Sequence, residues 1–398
     1  MSIVCNLSPL LFLTFRELYG ISYSLLGTLV LINFVTQLTI DLIFSFFSHK
    51  FPIPTVLKGI PVLTVLGLLL YALAPVLFPS AVYFGLAIGT VLFSVSSGLA
   101  EVLISPVVAA LPSDNPERDL SKLHSVYAWG VVGMILFGTL FLLVFQRTAW
   151  QWLSAVFALV PALSALLFAG AEIPKMETPE RTSGALKLMK SPTLWLCFFA
   201  IFLGGASECT MAQWSSGYLE KALGIDKVWG DVFGMAAFSV ALGLGRTLYS
   251  KIGKKVERVL LLGAIGAAAC YLVAALSSVP FVGLIACALT GLCVSMMWPG
   301  SLIVASEKIP QGGVFVFAMM AAGGDLGASV GPQLVGVVTD AVAESAFGAG
   351  LSESLGLAIE QVGMKCGMLV GALFPIVGIA VYALLVSMKK KKRNLPLQ

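Results

Sequence analysis

Residues 259–304 read VLLLGAIGAAACYLVAALSSVPFVGLIACALTGLCVSMMWPGSLIV, and this stretch decides the fold class. It contains no charged residue, and its one polar interruption is Ser277-Ser278-Val279-Pro280. A helix that crosses a bilayer needs about 20 mostly apolar residues. The stretch therefore predicts two membrane-spanning helices joined by a tight turn, which makes them antiparallel neighbours.

The same pattern of long apolar runs recurs along the whole chain. The predicted spans, numbered 1 to 12, are Ile3–Phe15, Tyr23–Phe47, Val56–Phe78, Ala81–Leu103, Ser125–Phe145, Trp152–Ala171, Leu194–Leu219, Val228–Tyr249, Val259–Leu276, Phe281–Val304, Val314–Val338 and Met368–Met388. The chain is 58% hydrophobic and 11% charged, with a mean hydropathy of +0.97, whereas a soluble domain carries roughly 25% charged residues. These values predict an all-α membrane protein with twelve transmembrane helices, solvated by a lipid bilayer.

Basic residues are distributed unevenly between the two sides of the predicted membrane. With the N-terminus inside, five of the 24 Lys and Arg fall in outer segments and the other nineteen in cytoplasmic ones. Because cytoplasmic loops are enriched in Lys and Arg, we predict a multi-pass protein of the cell (cytoplasmic) membrane with both termini in the cytoplasm. This bias also explains the net charge of +4, so the charge does not indicate nucleic-acid binding.

The longest polar stretch between spans divides the chain in two. We predict an N-terminal six-helix half at residues 1–172, a cytoplasmic central loop at 173–192, a C-terminal six-helix half at 193–388 and a basic cytoplasmic tail at 389–398. Two six-helix halves related by repeat symmetry are a common build of secondary transporters.

A weak internal repeat supports this division. Leu18–Ser22 follows span 1 as Ala222–Asp226 follows span 7, which pairs Gly20 with Gly224. With this pairing span 1 is shorter than span 7 at its beginning. We therefore expect helix 1 to be truncated at Met1.

Cysteine spacing argues against a metal centre. All seven cysteines lie in or beside apolar runs, and none forms a CxxC pair. They are expected to be reduced small hydrophobes. We predict no disulfide framework, no metal site and no cofactor.

Four acids inside predicted spans are candidates for a function: Asp41, Glu101, Glu208 and Asp325. An ionisable side chain at the centre of a membrane costs roughly 2.5–3.5 kcal/mol, so such residues tend to face a cavity or a partner. We assign proton coupling to Glu101 and Asp325 and solute binding first to Glu208. For Asp41 we expect a conformational role as the structural partner of a base. The alternative for Glu101, Glu208 and Asp325 is an interhelical structural pair, or a protonated acid bonded to a backbone carbonyl.

Amide and aromatic side chains complete the predicted solute site. They suit hydroxyl-rich, flat-faced solutes such as sugars, although the same residue types also serve as packing contacts between helices. With Glu208, the predicted solute-binding residues are Asn6, Asn33, Gln37, Trp129, Gln213, Trp214 and Trp298. Gly331-Pro332 is predicted to be a bending point for a rocking motion.

These features resemble the major facilitator superfamily along almost the full chain. Gly245-Arg246, followed by Gly253-Lys254-Lys255, is similar to the superfamily's cytoplasmic signature between helices 8 and 9. The resemblance implies a conformational role for Gly245 and Arg246.

Within the superfamily the chain looks most like the fucose permease group of sugar:proton symporters. The residues that carry this likeness are Asn6-Leu7-Ser8, Glu101 and Gly205-x2-Glu208. The resemblance implies that Glu101 takes part in proton coupling. The chain departs from the group at Pro9, where the group has an aspartate.

The leading hypothesis is proton-coupled uptake of a small polar solute, with a sugar as the first candidate, by a monomeric carrier. The alternative is an efflux antiporter for drugs or amphiphilic metabolites. A membrane-embedded enzyme would need a His-rich cluster or a nucleophile–base pair, and the only histidines, His49 and His124, lie near the cytoplasmic boundary. A receptor would need signalling domains, and the sequence has none.

Overall fold

The structure is a computed structural model, and it describes residues 1–47, 50–112, 116–173, 189–252, 255–309 and 313–388. Most of the predicted central loop, the basic tail and Gly253-Lys254 of the signature lie outside these residues. Within them the chain is helical and contains no strand. The helices are α1 Ser2–Tyr19, α2 Tyr23–Phe47, α3 Ile53–Leu77, α4 Val82–Ala110, α5 Pro116–Phe145, α6 Trp150–Ala169, α7 Pro192–Leu223, α8 Lys227–Trp229, α9 Ala237–Ile252, α10 Val256–Leu276, α11 Pro280–Val294, α12 Met297–Lys308, α13 Gly313–Ala343, α14 Ala346–Leu355 and α15 Ile359–Ser387.

The predicted all-α membrane fold is confirmed. In the described part of the chain, ten helical segments are long and apolar enough to cross a bilayer, and Trp129–Phe145 of α5 is a shorter apolar segment. With α1 these segments account for the twelve predicted spans. We refer to α1–α6 as the N-terminal half and to α7–α15 as the C-terminal half.

Helix α1 is longer than the predicted run Ile3–Phe15, because it continues through Arg16 and Glu17 to Tyr19. Every residue from Val4 to Phe15 is buried, so this helix lies inside the bundle. It ends at Gly20, which has left-handed φ 65° and ψ 22°, and α7 ends at Gly224 with φ 69° and ψ 22°. Glycine adopts this conformation without a steric penalty. The two repeat positions therefore terminate their helices in the same way.

Two predicted spans are not continuous α-helices. Span 8 begins with α8, passes through a π-helix at Gly230–Ala236 and continues as α9. Span 10 is interrupted at Ser295-Met296, between α11 and α12. Irregular backbone inside a membrane protein is tolerated where neighbouring protein groups satisfy its polar atoms. The break at Ser295-Met296 lies against Arg246, whose Nε donates to the carbonyl of Ser295.

Ion pairs join the two halves at one end of the bundle, where α1 and α7 end and α15 begins. Arg147 contacts Glu17 at 2.6 Å and Glu220 at 3.2 Å, and Lys221 lies 3.5 Å from Glu17. The Arg16 Nε lies 3.1 Å from Glu360. We call these six residues the charged clamp and this end of the bundle the clamped end. The opposite end, where α1 begins and α15 ends, is the termini end.

Helices α2 and α13 also join the halves. Gly27 of α2 faces Pro332 and Gln333, and Gly336 of α13 packs on the carbonyl of Tyr23 with no room for a side chain. Such close backbone contact between small residues is the usual way in which helices pack in membranes. The halves are therefore in van der Waals contact between the clamped end and the middle of the bundle.

Candidate functional site

Three acids, contributed by both halves, lie close together on the termini side of the contact between α2 and α13. Asp41 of α2, Glu101 of α4 and Asp325 of α13 each offer one carboxylate oxygen, and these oxygens lie within 4.8 Å of one another. Asp41 and Asp325 are buried, with exposed fractions of 5% and 3%, whereas Glu101 is partly exposed. We call Asp41, Glu101 and Asp325 the carboxylate triad.

In the described part of the chain, the carboxylate triad has no compensating cation nearby. Among the described residues, no Lys, Arg or His forms an ion pair with any of the three acids. Both oxygens of Asp41 and Oδ2 of Asp325 also accept no hydrogen bond from the described residues. The structure thus places Asp41 beside two other acids rather than beside the base that the sequence led us to expect. Buried like charges at this spacing repel each other strongly, so the triad needs protons or a cation.

Glu208, in the C-terminal half, is paired with the guanidinium of Arg246. Nη2 of Arg246 in α9 donates to both carboxylate oxygens of Glu208, at 3.0 and 3.1 Å. Nε of the same arginine donates to the carbonyl of Ser295 at 3.0 Å, which satisfies an acceptor at the break between α11 and α12. Arg246 therefore links three segments of the C-terminal half. This assigns it an intramembrane contact, beyond the loop signature to which the sequence related it.

Gly245 makes this arrangement possible. A Cβ at Gly245 would overlap the side chain of Ser295. The absence of a side chain lets α9 approach the break closely enough for Arg246 to reach Ser295 and Glu208. The two signature residues thus act together.

The predicted amide ligands are buried and mostly paired within the protein. Oδ1 of Asn33 accepts hydrogen bonds from Ser94 at 2.6 Å and from Gln37 at 3.2 Å. Asn6 donates to the carbonyl of Ser2 at 2.9 Å. The hydrogen bond from Ser94 joins α4 to α2, and the other two lie within single helices. These contacts favour the packing interpretation for Asn6, Asn33 and Gln37.

Gln213 differs from the other amides. Its Nε2 donates to the carbonyl of Cys5 in α1 at 3.4 Å, which joins the two halves. Its Oε1 has no partner among the described residues. An unpaired buried acceptor is costly, so Gln213 retains one acceptor for a ligand donor.

The three predicted tryptophans lie in different environments. Trp214 is buried, and its Nε1 donates to the carbonyl of Pro332 at 2.9 Å, next to the predicted bending point at Gly331-Pro332. Trp298 is partly buried at the break before α12, and its ring packs on Gly324.

Trp129 is 70% exposed and shares an exposed stripe of α5 with Leu136 and Leu140. It does not join the carboxylate triad or the Glu208–Arg246 pair. We therefore remove Trp129 from the candidate site.

For one further acid inside a predicted span, Asp231, the sequence led us to predict no role. Asp231 in the π-helix is 1% exposed, and it pairs with Lys227 and accepts a hydrogen bond from Ser216. Thr139 of the N-terminal half donates to its other oxygen at 2.9 Å. The available signal was the i, i+4 spacing of Lys227 and Asp231 at the start of span 8. π-helical turns are often found at functional sites.

Comparison with known families agrees with this architecture. A family model described as Major Facilitator Superfamily matches residues 2–332. The chain belongs to the Major Facilitator Superfamily. The predicted membership is thereby confirmed. No curated protein matches this superfamily member in sequence.

Solved structures of other superfamily transporters share its fold. A bacterial homologue of the human lysosomal transporter Spinster, inward-facing and occupied, is 13% identical with a TM-score of 0.69, covering 96% of this chain and 93% of that one. The E. coli fucose:proton symporter FucP is 15% identical with a TM-score of 0.61 over 96% and 95%. The nucleoside transporter NupG is 11% identical with a TM-score of 0.72 over 96% and 95%.

Proposed function

We propose that this superfamily member is a secondary active transporter that moves a small polar solute, with a sugar as the first candidate, by proton-coupled alternating access. The observation that carries the proposal is the carboxylate triad, because it is shared between the two halves and has no compensating cation among the described residues. A group that must be neutralised before it can be buried links ion binding to the movement of the halves.

Glu101 is the proposed proton carrier. It is the most exposed member of the triad, so water reaches it more readily than it reaches Asp41 or Asp325. A carboxyl that alternates between a wet and a dry environment can take up a proton on one side and release it on the other. Asp325, which belongs to the opposite half, is the second proposed coupling residue.

The Glu208–Arg246 pair, with Gln213 and Trp298, is the proposed solute site. A carboxylate accepts hydrogen bonds, a guanidinium donates them, and an indole offers a flat apolar face. These are the groups that recognise a solute rich in hydroxyls. The fucose:proton symporter and the nucleoside transporter of the same fold handle such solutes, which supports this choice.

The distribution of basic residues supports a cytoplasmic termini end. In this orientation the charged clamp closes the extracellular side, as expected of an inward-facing state. The clamp must then open in each cycle, because the solute has to reach the site from outside.

Transport by the purified protein in liposomes tests the proposal. A thermal-shift screen against sugars, nucleosides and amphiphilic drugs first identifies a solute, and uptake is then driven by a proton gradient. Glu101→Gln keeps the shape of the side chain but cannot titrate, so it should lose gradient-driven accumulation and retain solute exchange. Glu353→Gln, at an exposed position of α14, is the matched control.

Two results would contradict the proposal. Accumulation by Glu101→Gln with the parent's pH dependence would remove Glu101 from coupling. Uptake by the parent protein that does not depend on the proton gradient would exclude proton coupling altogether.

Efflux of an amphiphilic compound remains the second candidate, because one observation favours it. A mostly apolar groove in the N-terminal half is lined by Ile3, Leu57, Ser97, Ala100 and Phe168, and Ala100 directly precedes Glu101 in α4. Stabilisation by amphiphilic drugs alone in the same screen would favour this candidate over sugar uptake.

A further inference from the structure

We propose that the carboxylate triad is a sodium-ion site, in which one Na⁺ shared by Asp41, Glu101 and Asp325 takes the place of a proton. The inference rests on the coupling role proposed above for the same residues. It adds a second coupling ion and makes no assumption about the solute.

The spacing of the oxygens fits a shared cation. Oxygen ligands lie about 2.3–2.6 Å from a hard cation such as Ca²⁺, and Na⁺ is of similar size. Two oxygens on opposite sides of such an ion are therefore about 5 Å apart. The three carboxylate oxygens lie within 4.8 Å of one another, so a single ion between them can contact all three.

An independent observation points to a ligand at this position. Asp41 is 5% exposed, and neither of its oxygens accepts a hydrogen bond from any described residue. Oδ2 of Asp325, which is 3% exposed, is also unpartnered. A proton on Asp41 can be shared with the neighbouring carboxylate of Asp325, but the other oxygen of Asp41 stays unsatisfied. A Na⁺ between the three acids contacts an oxygen of each, and protons on the carboxyls neutralise the two negative charges that remain, as buried charged groups require.

A monovalent ion suits this site better than a divalent one. Ca²⁺ takes six to eight oxygen ligands, whereas the triad offers three carboxylates in a buried setting. A transporter must also release its ion in every cycle. Attraction to the carboxylates scales with the charge of the ion, so a divalent ion would be released far more slowly than Na⁺.

The site would act between the two halves. Asp41 and Glu101 belong to the N-terminal half and Asp325 to the C-terminal half. A bound Na⁺ attracts all three acids and holds α13 against α2 and α4, while its departure leaves carboxylates that repel each other. Occupancy therefore favours contact between the halves at this level, and this preference is how the ion would couple to the conformational cycle.

Thermal unfolding of the full-length protein in detergent tests the site. NaCl is titrated against KCl and choline chloride at equal ionic strength, in buffers on both sides of neutrality. Na⁺ should raise the melting temperature to a plateau, while K⁺ and choline should have no effect. Because Na⁺ competes with protons for the carboxylates, its apparent affinity should fall by up to about tenfold for each unit of decrease in pH.

Variants locate the effect. Asp41→Asn should abolish the Na⁺-dependent shift, and Glu353→Gln on the exposed face of α14 should retain it. If Asp41→Asn does not fold, binding of radioactive ²²Na⁺ to Asp325→Asn and to the parent protein provides the same comparison. Proton release by the parent on addition of NaCl, followed with a pH indicator, should accompany binding.

Several results would overturn the sodium site. They are an equal response of the parent to Na⁺, K⁺ and choline at every pH, a full Na⁺ response in Asp41→Asn, and saturation by micromolar Ca²⁺ at lower concentration than Na⁺. Proton-driven transport that persists without Na⁺ in a protein with no Na⁺ response would refute the sodium site and leave the proposed function intact. A Na⁺ response in a protein that transports no tested solute would support the site and count against that function.

Discussion

The carboxylate of Asp340 accepts a hydrogen bond from the backbone N–H of Ser24 at 2.6 Å. Its other oxygen accepts one from the N–H of Tyr23 at 3.3 Å. Asp340 lies near the end of α13, and Tyr23 and Ser24 begin α2, so an acid of one half caps a helix of the other half. The first N–H groups of a helix have no partners within it, and a negative charge there is favourable.

Loss of this cap should loosen the clamped end. Replacing an N-capping acid by alanine costs about 1 kcal/mol, and this cost applies only while the halves are in contact. Asp340→Ala should therefore shift the population roughly fivefold towards the state that is open at this end. Electron paramagnetic resonance between spin labels at Gln146 and Glu344, both exposed at the clamped end, would report the shift as a longer distance.

Asp226→Ala provides the matched control. Asp226 caps Val228 within the C-terminal half at 2.9 Å, so its loss removes the same chemistry without affecting the contact between the halves. Equal distance distributions in Asp340→Ala and Asp226→Ala would show that the inter-half cap does not hold the end closed.

Arg147 should make a salt-dependent contribution to the same closure. It pairs with Glu17 in its own half and with Glu220 in the other half, and about a third of its side chain is exposed. Partly exposed pairs contribute about 0.2–1 kcal/mol each and are screened by salt. Arg147→Gln should lengthen the spin-label distance at low ionic strength and differ little from the parent in high salt.

A double-mutant cycle with Glu220→Gln isolates the inter-half pair. The effect of Arg147→Gln should shrink when Glu220 is already neutral. Lys58→Gln serves as the control, since Lys58 contacts the carbonyl of Ala169 within the N-terminal half, away from the clamp. A coupling energy of zero between Arg147 and Glu220 would contradict the prediction.

Breaking the Glu208–Arg246 pair should affect both stability and binding. Removing one partner of a buried pair costs about 3–5 kcal/mol, and since 36% of the Arg246 side chain is exposed we expect about 1–2 kcal/mol for Arg246→Gln. The double variant with Glu208→Gln should regain stability, because no uncompensated charge remains, but it should not regain solute binding. Melting temperature and ligand-induced shifts separate the two effects. Recovery of binding in the double variant would exclude the pair from the solute site.

Gly245→Ala should be destabilising because of one neighbour. The added Cβ would overlap Ser295, and overpacking of this kind costs about 1–3 kcal/mol. Ser295→Gly should rescue much of the loss. Gly243→Ala in the same helix meets no atom within 4 Å and should be neutral or stabilising, since alanine favours a helix. Equal melting temperatures for the two alanine variants would refute the close contact.

The apolar runs predicted the number and approximate bounds of the spanning helices, since any crossing segment must be long and apolar. They could not reveal the break at Ser295-Met296, because both sides of it are as apolar as a continuous helix. The group that stabilises the break, Arg246, lies 49 residues away in the chain. Only tertiary contact makes the irregular backbone favourable there.

The individual acids were likewise predictable, because an ionisable side chain inside a membrane is energetically costly and therefore marks a candidate site. The residues that they contact were not predictable. Glu208 pairs with a residue 38 positions away, and the sequence placed that arginine in a loop signature. Asp41 was expected beside a base and lies beside acids, because the approach of α2, α4 and α13 is set by helix packing. Trp129 was predicted to line the solute site and instead lies on an exposed face of α5. Residue type alone does not indicate which face of a helix an indole occupies.

The depth of the carboxylate triad has an electrical consequence. In α4, 19 of the 29 residues lie between Glu101 and the clamped end, and 18 of the 31 residues of α13 lie between Asp325 and that end. An ion that arrives from the clamped side must therefore cross more than half of the membrane's electric field before it binds. A full crossing is worth about 2.3 kcal/mol per charge at 100 mV. The membrane potential would thus drive the loading of the ion itself, and the affinity measured from that side would rise as the opposite side becomes more negative.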